Sequence, residues 1–383
     1  MKIFSNLKSG KKTRRLKVIK VLLVDDSAIV HTLIERVIKK TSPDIEVVGN
    51  AYNGLEAIQL ARKIDFDVMI TDVEMPHLNG LEAIAKILEE KTNPIIIFSG
   101  AGKKIADLSF QAIELGAVDI IEKPLVNNYS EFEKIIENSL LQKVRLFKDF
   151  RVIKRQKSTN LDFSDYTKKH SAGHQVSKKN IVQKISEIFK LKHYPIIAIA
   201  SSTGGPQTLK YIIQSLPAGF ALPIIILQHL SEGFFESFRD WLAGYSKVPI
   251  CFAKKGSLPE PGNIYIAHSG YHLIFDKNGR FDYNDSPPIV GLRPSADILF
   301  TSLAQIYQDR VIALILTGMG QDGTEGFYHI KKHNGFTIAQ DETSSILYGM
   351  PKAAIESGNV DKIINLKDIS EYLVKLSLKE PVE

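Results

Sequence analysis

The chain of 383 residues is 44% hydrophobic and 24% charged, enough for more than one core, because single cores stop growing near about 250–300 residues. Its one cysteine, Cys251, excludes an internal disulfide, and no apolar run approaches the roughly 18 residues of a membrane span. Net charge is +6, yet residues 1–20 carry eight Lys/Arg and no acid and residues 143–192 are net +10, so the rest is −12. Basic charge confined to segments of tail and linker composition reads as solvated and self-repelling, whereas a nucleic-acid face needs a basic folded surface. The N-terminus "MKIFSNLKSGKKTRRLK" is charged but lacks the apolar stretch of a secretory signal. These features predict a cytoplasmic protein with no membrane insertion and no nucleic-acid partner.

From residue 18 to 142, short apolar runs alternate with helical patterns. The strands are "VIKVLLV", "IEVVGNA", "DVMITD", "PIIIFSG" and "VDIIEKP". The helices are "AIVHTLIERVIKK", "GLEAIQLARKI", "GLEAIAKILEE", "IADLSFQAIELG" and "YSEFEKIIENSLLQKV". Five βα units with buried strands predict a doubly wound parallel sheet. Residues 149–192 lose the pattern and have linker composition, with one short amphipathic helix, "IVQKISEIF", near the end. Alternation resumes at 195 with "PIIAIA", "PIIILQH", "NIYIAH", "HLIFDK", "VIALILTG" and "GFTIAQ", and the piece around 250–290 reads as an inserted hairpin.

In open α/β sheets, functional groups collect at the carboxyl ends of strands. Asp25 and Asp26 end the first strand, Asp72 the third, Ser99 the fourth and Lys123 the fifth. Three converging carboxylates raise one another's pKa unless a cation or lysine neutralises them, and an all-oxygen set suits Mg²⁺. Any one of these residues alone is more simply a helix cap or a solvated side chain. The five together, at the ends of four of the five strands, favour a phosphoryl-accepting site. The motifs "LLVDDS", "ITDVEMPHLNGLEAI", "IIIFSG" and "VDIIEKP" resemble a response-regulator receiver, a flavodoxin-like domain. The resemblance implies Asp72 as phosphoacceptor, Mg²⁺ held by Asp25, Asp26, Asp72 and the Glu74 backbone carbonyl, and Ser99 and Lys123 sensing the phosphate. Ile120 stands where many receivers have an aromatic residue.

The stretch "IIAIASSTGGPQTL" runs a strand through Ser201, Ser202 and Thr203 into two glycines and a helix. A dinucleotide fingerprint needs glycines where the serines stand and an acid at the end of the next strand, which here ends in His229. The phosphate-cradle reading therefore fails. Asp322 follows "VIALILTG", so serine, histidine and aspartate each follow a different strand on one rim. A hydroxyl becomes a nucleophile when a base takes its proton, and a carboxylate orients the base. A helix N-terminus adds N–H donors for an oxyanion. On spacing alone, catalysis stands level with simple capping by Ser202 and Asp322 and a satisfied strand-end His229. His193, His268, His272 and His333 show no metal-ligand spacing and read as surface or loop residues.

The motifs "ASSTGG", "LQHL", "PGNIYIA", "LRPSAD", "LTGMGQDGTEG" and "YGMPKAA" resemble the methylesterase domain of the CheB family, the protein-glutamate methylesterases of bacterial chemotaxis. With the receiver in front, the resemblance spans the chain. It implies Ser202 as nucleophile, His229 as base, Asp322 as orienting acid, and Thr203, Gly204 and the Met319 backbone lining the site. His268 stands where the family usually has a proline. The implied organisation is a basic N-terminal extension (1–17), receiver (18–142), basic linker (143–192) and Rossmann-like methylesterase domain (193–380) with the inserted hairpin. The implied activity is phosphorylation-activated hydrolysis of glutamate γ-methyl esters, and glutamine deamidation, on methylated chemoreceptor cytoplasmic helices, with a chemotaxis histidine kinase as phosphodonor and no cofactor in the catalytic domain. Arg293, in "LRPSAD", is expected to contact acidic flanks of a receptor helix.

Overall fold

The computed structural model describes residues 18–76, 78–124, 129–150 and 195–378. The basic N-terminal extension, most of the linker with its short helix, and His193 lie outside the described residues.

The first sheet contains β1 (Ile19–Val24), β2 (Ile45–Ala51), β3 (Val68–Thr71), β4 (Ile95–Ser99) and β5 (Asp119–Glu122). All pairings are parallel in the order β2-β1-β3-β4-β5, the flavodoxin-like arrangement. Strands covered on both faces read as near-continuous aliphatic runs, and β3 and β4 are buried at every position. The helices are α1 (Ala28–Thr41), α2 (Gly54–Lys63), α3 (Gly80–Glu90), α4 (Lys103–Leu115) and α5 (Tyr129–Phe147), the last with a π-turn at Ile136–Leu140. Their starts are set by short polar side chains: Ser27, Asn53 and Asn79 each accept the N–H three residues on. Helix α5 extends three residues past the sequence reading, because Val144 and Phe147 continue its apolar stripe into the core. Residues 143–147, assigned to the linker by charge, are thus helical.

The second sheet has seven parallel strands: β6 (Ile196–Ser201), β7 (Ile224–Gln228), β8 (Ile250–Phe252), β9 (Ile264–Ile266), β12 (Val311–Ile315), β13 (Phe336–Gln340) and β14 (Lys362–Ile364). Their order is β14-β13-β12-β6-β7-β9-β8. The direction of winding reverses at β6, which is a topological switch point. The inserted hairpin is real but narrower than 250–290. Only β10 (His272–Phe275) and β11 (Phe281–Asn284) pair antiparallel, while β8 and β9 join the main sheet. Around it pack α6 (Gly205–Gln214), α7 (Phe235–Ala243), α8 (Ala296–Tyr307), α9 (Thr324–Lys332), α10 (Met350–Glu356) and α11 (Leu366–Leu378). No described helix is long and apolar enough to cross a membrane.

Candidate functional site

At the carboxyl edge of the first sheet, Asp25 and Asp72 are buried and Asp26 is exposed, with a carboxylate oxygen of each within 4.8 Å of the others. Lys123 Nζ lies 2.6 Å from Asp25 Oδ2 and also pairs with Asp72 Oδ2. Burial pushes the Asp25 carboxyl above its ordinary value, opposed by Lys123. Burial works against the Lys123 charge, but Asp72 and Asp25 outweigh it and hold the lysine pKa high. The other Asp72 oxygen accepts from the Ser99 hydroxyl and, at 3.1 Å, from the Glu74 N–H. The five strand-end residues therefore converge, and all the carboxyl donors are hard oxygen ligands fit for Mg²⁺. The capping alternative falls to Ser27, whose own N–H donates to Asp25 Oδ1. The Glu74 side chain turns outward to Lys104.

At the second edge, the turn after β6 carries Ser201 and Ser202, and their roles separate. Ser201 is fully buried and donates to Gln228 Oε1 at 2.7 Å. Gln228 returns hydrogen bonds from Nε2 to the Ser202 and His229 carbonyls at 2.8 and 3.0 Å. Ser202 is half-buried, and α6 starts on Gly204 without a side-chain cap, so capping does not occupy its hydroxyl. Gly204 has φ +76°, and a Cβ there would sit 2.7 Å from the Ile346 Cβ. Only glycine satisfies both the left-handed backbone and the space. Gly318 brings the loop after β12 against the turn that carries Ser202, since a Cβ there would fall 2.8 Å from the Ser202 Cβ.

His229 follows β7, its N–H bonded to the Ser201 carbonyl. Its ring Nε2 meets Asp322 Oδ2 at 2.9 Å, and its buried Nδ1 has no partner among the described residues. An Nε2–H donated to the carboxylate leaves the Nδ1 lone pair available as a base. Asp322 is 7% exposed and accepts three further bonds, from Ser295 Oγ (2.7 Å), Ala296 N–H (2.6 Å) and Asp297 N–H (3.1 Å). Burial pushes its pKa up, but His229 and these donors outweigh it and hold it at about 2. Asp322 thus orients a histidine and also caps α8 from a distance. Burial, reinforced by Asp322, pushes neighbouring Asp297 up to about 6.

Several supports escaped the sequence reading. Gln228 is one more residue of the run "PIIILQH", and Ser295 and Asp297 stand beside Arg293 in "LRPSAD" with nothing local to mark them. Arg293 itself donates to the Asp285 and Ser286 carbonyls, at 3.2 and 3.4 Å. His272 is not a surface residue: it is fully buried on β10, and its Nδ1 accepts the Ser295 N–H at 3.1 Å. His268 lies half-buried between the rings of Phe235 and Phe252.

The first domain covers this rim. Thr203 Oγ1 donates to Asp119 Oδ2 at 2.8 Å, and the same carboxylate oxygen takes Lys143 at 2.6 Å. Gln207 Nε2 reaches the Ile113 and Ala117 carbonyls, each at 3.0 Å, and the Gly233 N–H reaches Glu122 at 3.2 Å. Ile120 is buried in this seam beside Gly204, Gln207 and Leu230. Helix α4 lies on α7, where Phe110 packs on Phe234, Phe238 and Trp241.

An acidic rim clamped by a lysine on one parallel sheet, and serine, histidine and aspartate around the switch point of another, define a receiver coupled to a hydrolase-type α/β domain. Residues 21–136 match the response regulator receiver domain, and residues 197–373 match the CheB methylesterase. A protein-glutamate methylesterase/protein-glutamine glutaminase of Pyrococcus horikoshii is 36% identical over 363 residues, covering 93% of each chain. The similarly described protein of Thermotoga maritima is 35% identical, covering 94% of this chain and 99% of its own. The crystal structure of the Thermotoga maritima CheB methylesterase catalytic domain is 39% identical over 48% of this chain and 98% of that one, with a TM-score of 0.47. The chain belongs to the CheB family of protein-glutamate methylesterases, with a receiver domain in front.

Proposed function

We propose that this chain works in the cytoplasm, hydrolysing glutamate γ-methyl esters on the cytoplasmic helices of chemoreceptors, and deamidating glutamine there, when its receiver is phosphorylated. The observation that carries the reading is the His229–Asp322 pair, whose unpartnered Nδ1 sits at the end of the strand beside the Ser202 turn. Ser202 Oγ attacks the ester carbonyl carbon while His229 Nδ1 takes its proton. The tetrahedral oxyanion is met by main-chain N–H groups of the loops carrying Thr203, Gly204 and Met319. His229 then gives the proton to the departing methoxide, releasing methanol, and a water activated at Nδ1 frees the glutamate carboxylate. With glutamine the leaving group is ammonia. Asp322 stays ionised throughout and stabilises the imidazolium.

Asp72 is the phosphoacceptor, with a chemotaxis histidine kinase as donor. Asp25, Asp26, Asp72 and the Glu74 carbonyl would hold Mg²⁺, which supplies neutralisation of charge at the phosphoryl group. Ser99 and Lys123 already bind both Asp72 oxygens and are placed to follow them onto phosphate. A group of about −2 charge there redraws the Lys123 contacts at the end of β5, the strand whose Asp119 and Glu122 hold the seam. The receiver is joined to the catalytic domain through the basic segment after Phe147. Methanol release from methylated receptor fragments, measured with and without a small phosphodonor and Mg²⁺, tests the reading. Release that rises with the donor supports it, and no release under either condition overturns it.

A further inference from the structure

One node of the domain seam is built around a single carboxylate oxygen. Glu114 Oε1, on α4, accepts from Trp241 Nε1 at 2.8 Å, from the Tyr245 hydroxyl, and from Lys210 Nζ at 3.3 Å. Lys210 Nζ lies 3.6 Å from the Tyr245 ring centroid and 5.6 Å from that of Trp241, so cation and aromatics form one acceptor-seeking surface. Four residues earlier on the same helix face, Phe110 stacks on Trp241 at 5.3 Å and touches Phe234 and Phe238. The catalytic domain thus recognises an amphipathic helix by an apolar anchor at i and a carboxylate at i+4. Lys210 lies on α6, the helix that begins just after Ser202. When the receiver leaves, the surface loses its carboxylate and its anchor together.

We propose that this surface, Lys210, Trp241 and Tyr245 with Phe234 and Phe238, docks the substrate helix, and that α4 occupies it as a substrate mimic. The inference rests on the proposed activity toward helical protein esters and names how the helix is held. The occupant is an amphipathic helix bearing an apolar residue and, four residues on, a carboxylate. A helix that carries glutamyl esters gains a carboxylate with each ester hydrolysed, and that carboxylate can take the place of Glu114 on this surface. Charge complementarity to Lys210 favours this occupant over an apolar one.

The test uses the full chain activated with Mg²⁺ and a small phosphodonor. Lys210→Gln raises KM for a methylated helical receptor fragment about tenfold and leaves kcat within twofold. Glu114→Gln raises the unstimulated rate and leaves the activated KM unchanged. In a readout independent of ester chemistry, a labelled peptide of residues 103–117 binds the activated chain, about tenfold more weakly after Lys210→Gln. An unchanged KM in Lys210→Gln overturns the proposal and leaves the node as an intramolecular clasp. A donor-induced dimer that Glu114→Gln dissolves assigns the surface to a second copy and also overturns it. If the peptide binds but no helical ester is hydrolysed, the activity reading fails instead, and docking of substrate falls with it.

Discussion

The two sheet edges solve opposite problems with the same geometry. Both place carboxylates where parallel strands end. On the receiver edge, Asp25 and Asp72 share Lys123, and Asp26 faces water, the arrangement that the proposed exchange of lysine contacts for a cation or phosphoryl group requires. On the catalytic edge, Asp322 is bound by one ring nitrogen, one hydroxyl and two main-chain N–H groups, all within 3.1 Å. The first edge has two buried carboxylates leaning on one shared lysine, and the second has one carboxylate held by four separate donors. A switch needs neighbouring states of similar energy, whereas an acid–base relay needs one fixed orientation.

Removing members of the catalytic edge produces the largest effects. Ser202→Ala should lower methanol release at least about 1,000-fold with the melting temperature nearly unchanged, and His229→Ala should be comparable. Asp322→Asn should cost at least about tenfold less than Ser202→Ala. Ser201→Ala should act on stability instead, by about 1–3 kcal/mol, because it leaves the buried Gln228 Oε1 unsatisfied. A catalytically dead but stable Ser201→Ala would reverse the assignment of the two serines. On the receiver edge, Asp72→Asn should abolish the donor-stimulated rise while keeping the unstimulated rate, and chelating Mg²⁺ should do the same to the parent chain. Asp119→Asn loosens both Thr203 and Lys143, and should raise the unstimulated rate severalfold. The smallest effect is in pH. Asp297 has a raised folded-state pKa of about 6, so its stabilising effect is full below the unfolded value near about 4 and is lost as pH rises through about 6. Asp297→Asn removes that loss, so its melting temperature should fall less than the parent's between pH 4 and 7.

Legibility in the sequence followed burial. Strands covered on both faces, such as Val68–Thr71 and Ile95–Ser99, stand out as aliphatic runs and were read within a residue or two. The strands Ile250–Phe252 and Lys362–Ile364 were missed because three residues at the sheet edges, partly exposed, carry no period. The residues of the acidic rim were legible because each ends a strand, and strand ends are visible as the last apolar residue. Gln228, His272 and Ser295 were not, because their roles depend on partners 23 to 27 residues away in the chain. Charge also displaced one boundary, because Lys143 and Arg145 have linker-like composition yet are held by Asp119 and Asp44.

Trp241 is the only tryptophan in the chain, and its indole is bonded to Glu114 and stacked on Phe110 across the seam. The protein therefore carries an optical gauge of its own domain separation. Lifting the receiver would strip Phe110 and the Glu114 bond from that ring while Phe238 and Tyr245 stay beside it, so the emission maximum should shift to longer wavelength and collisional quenchers gain access on the uncovered side. Opening can be followed in the unlabelled chain on the time scale of phosphodonor addition, apart from any substrate turnover.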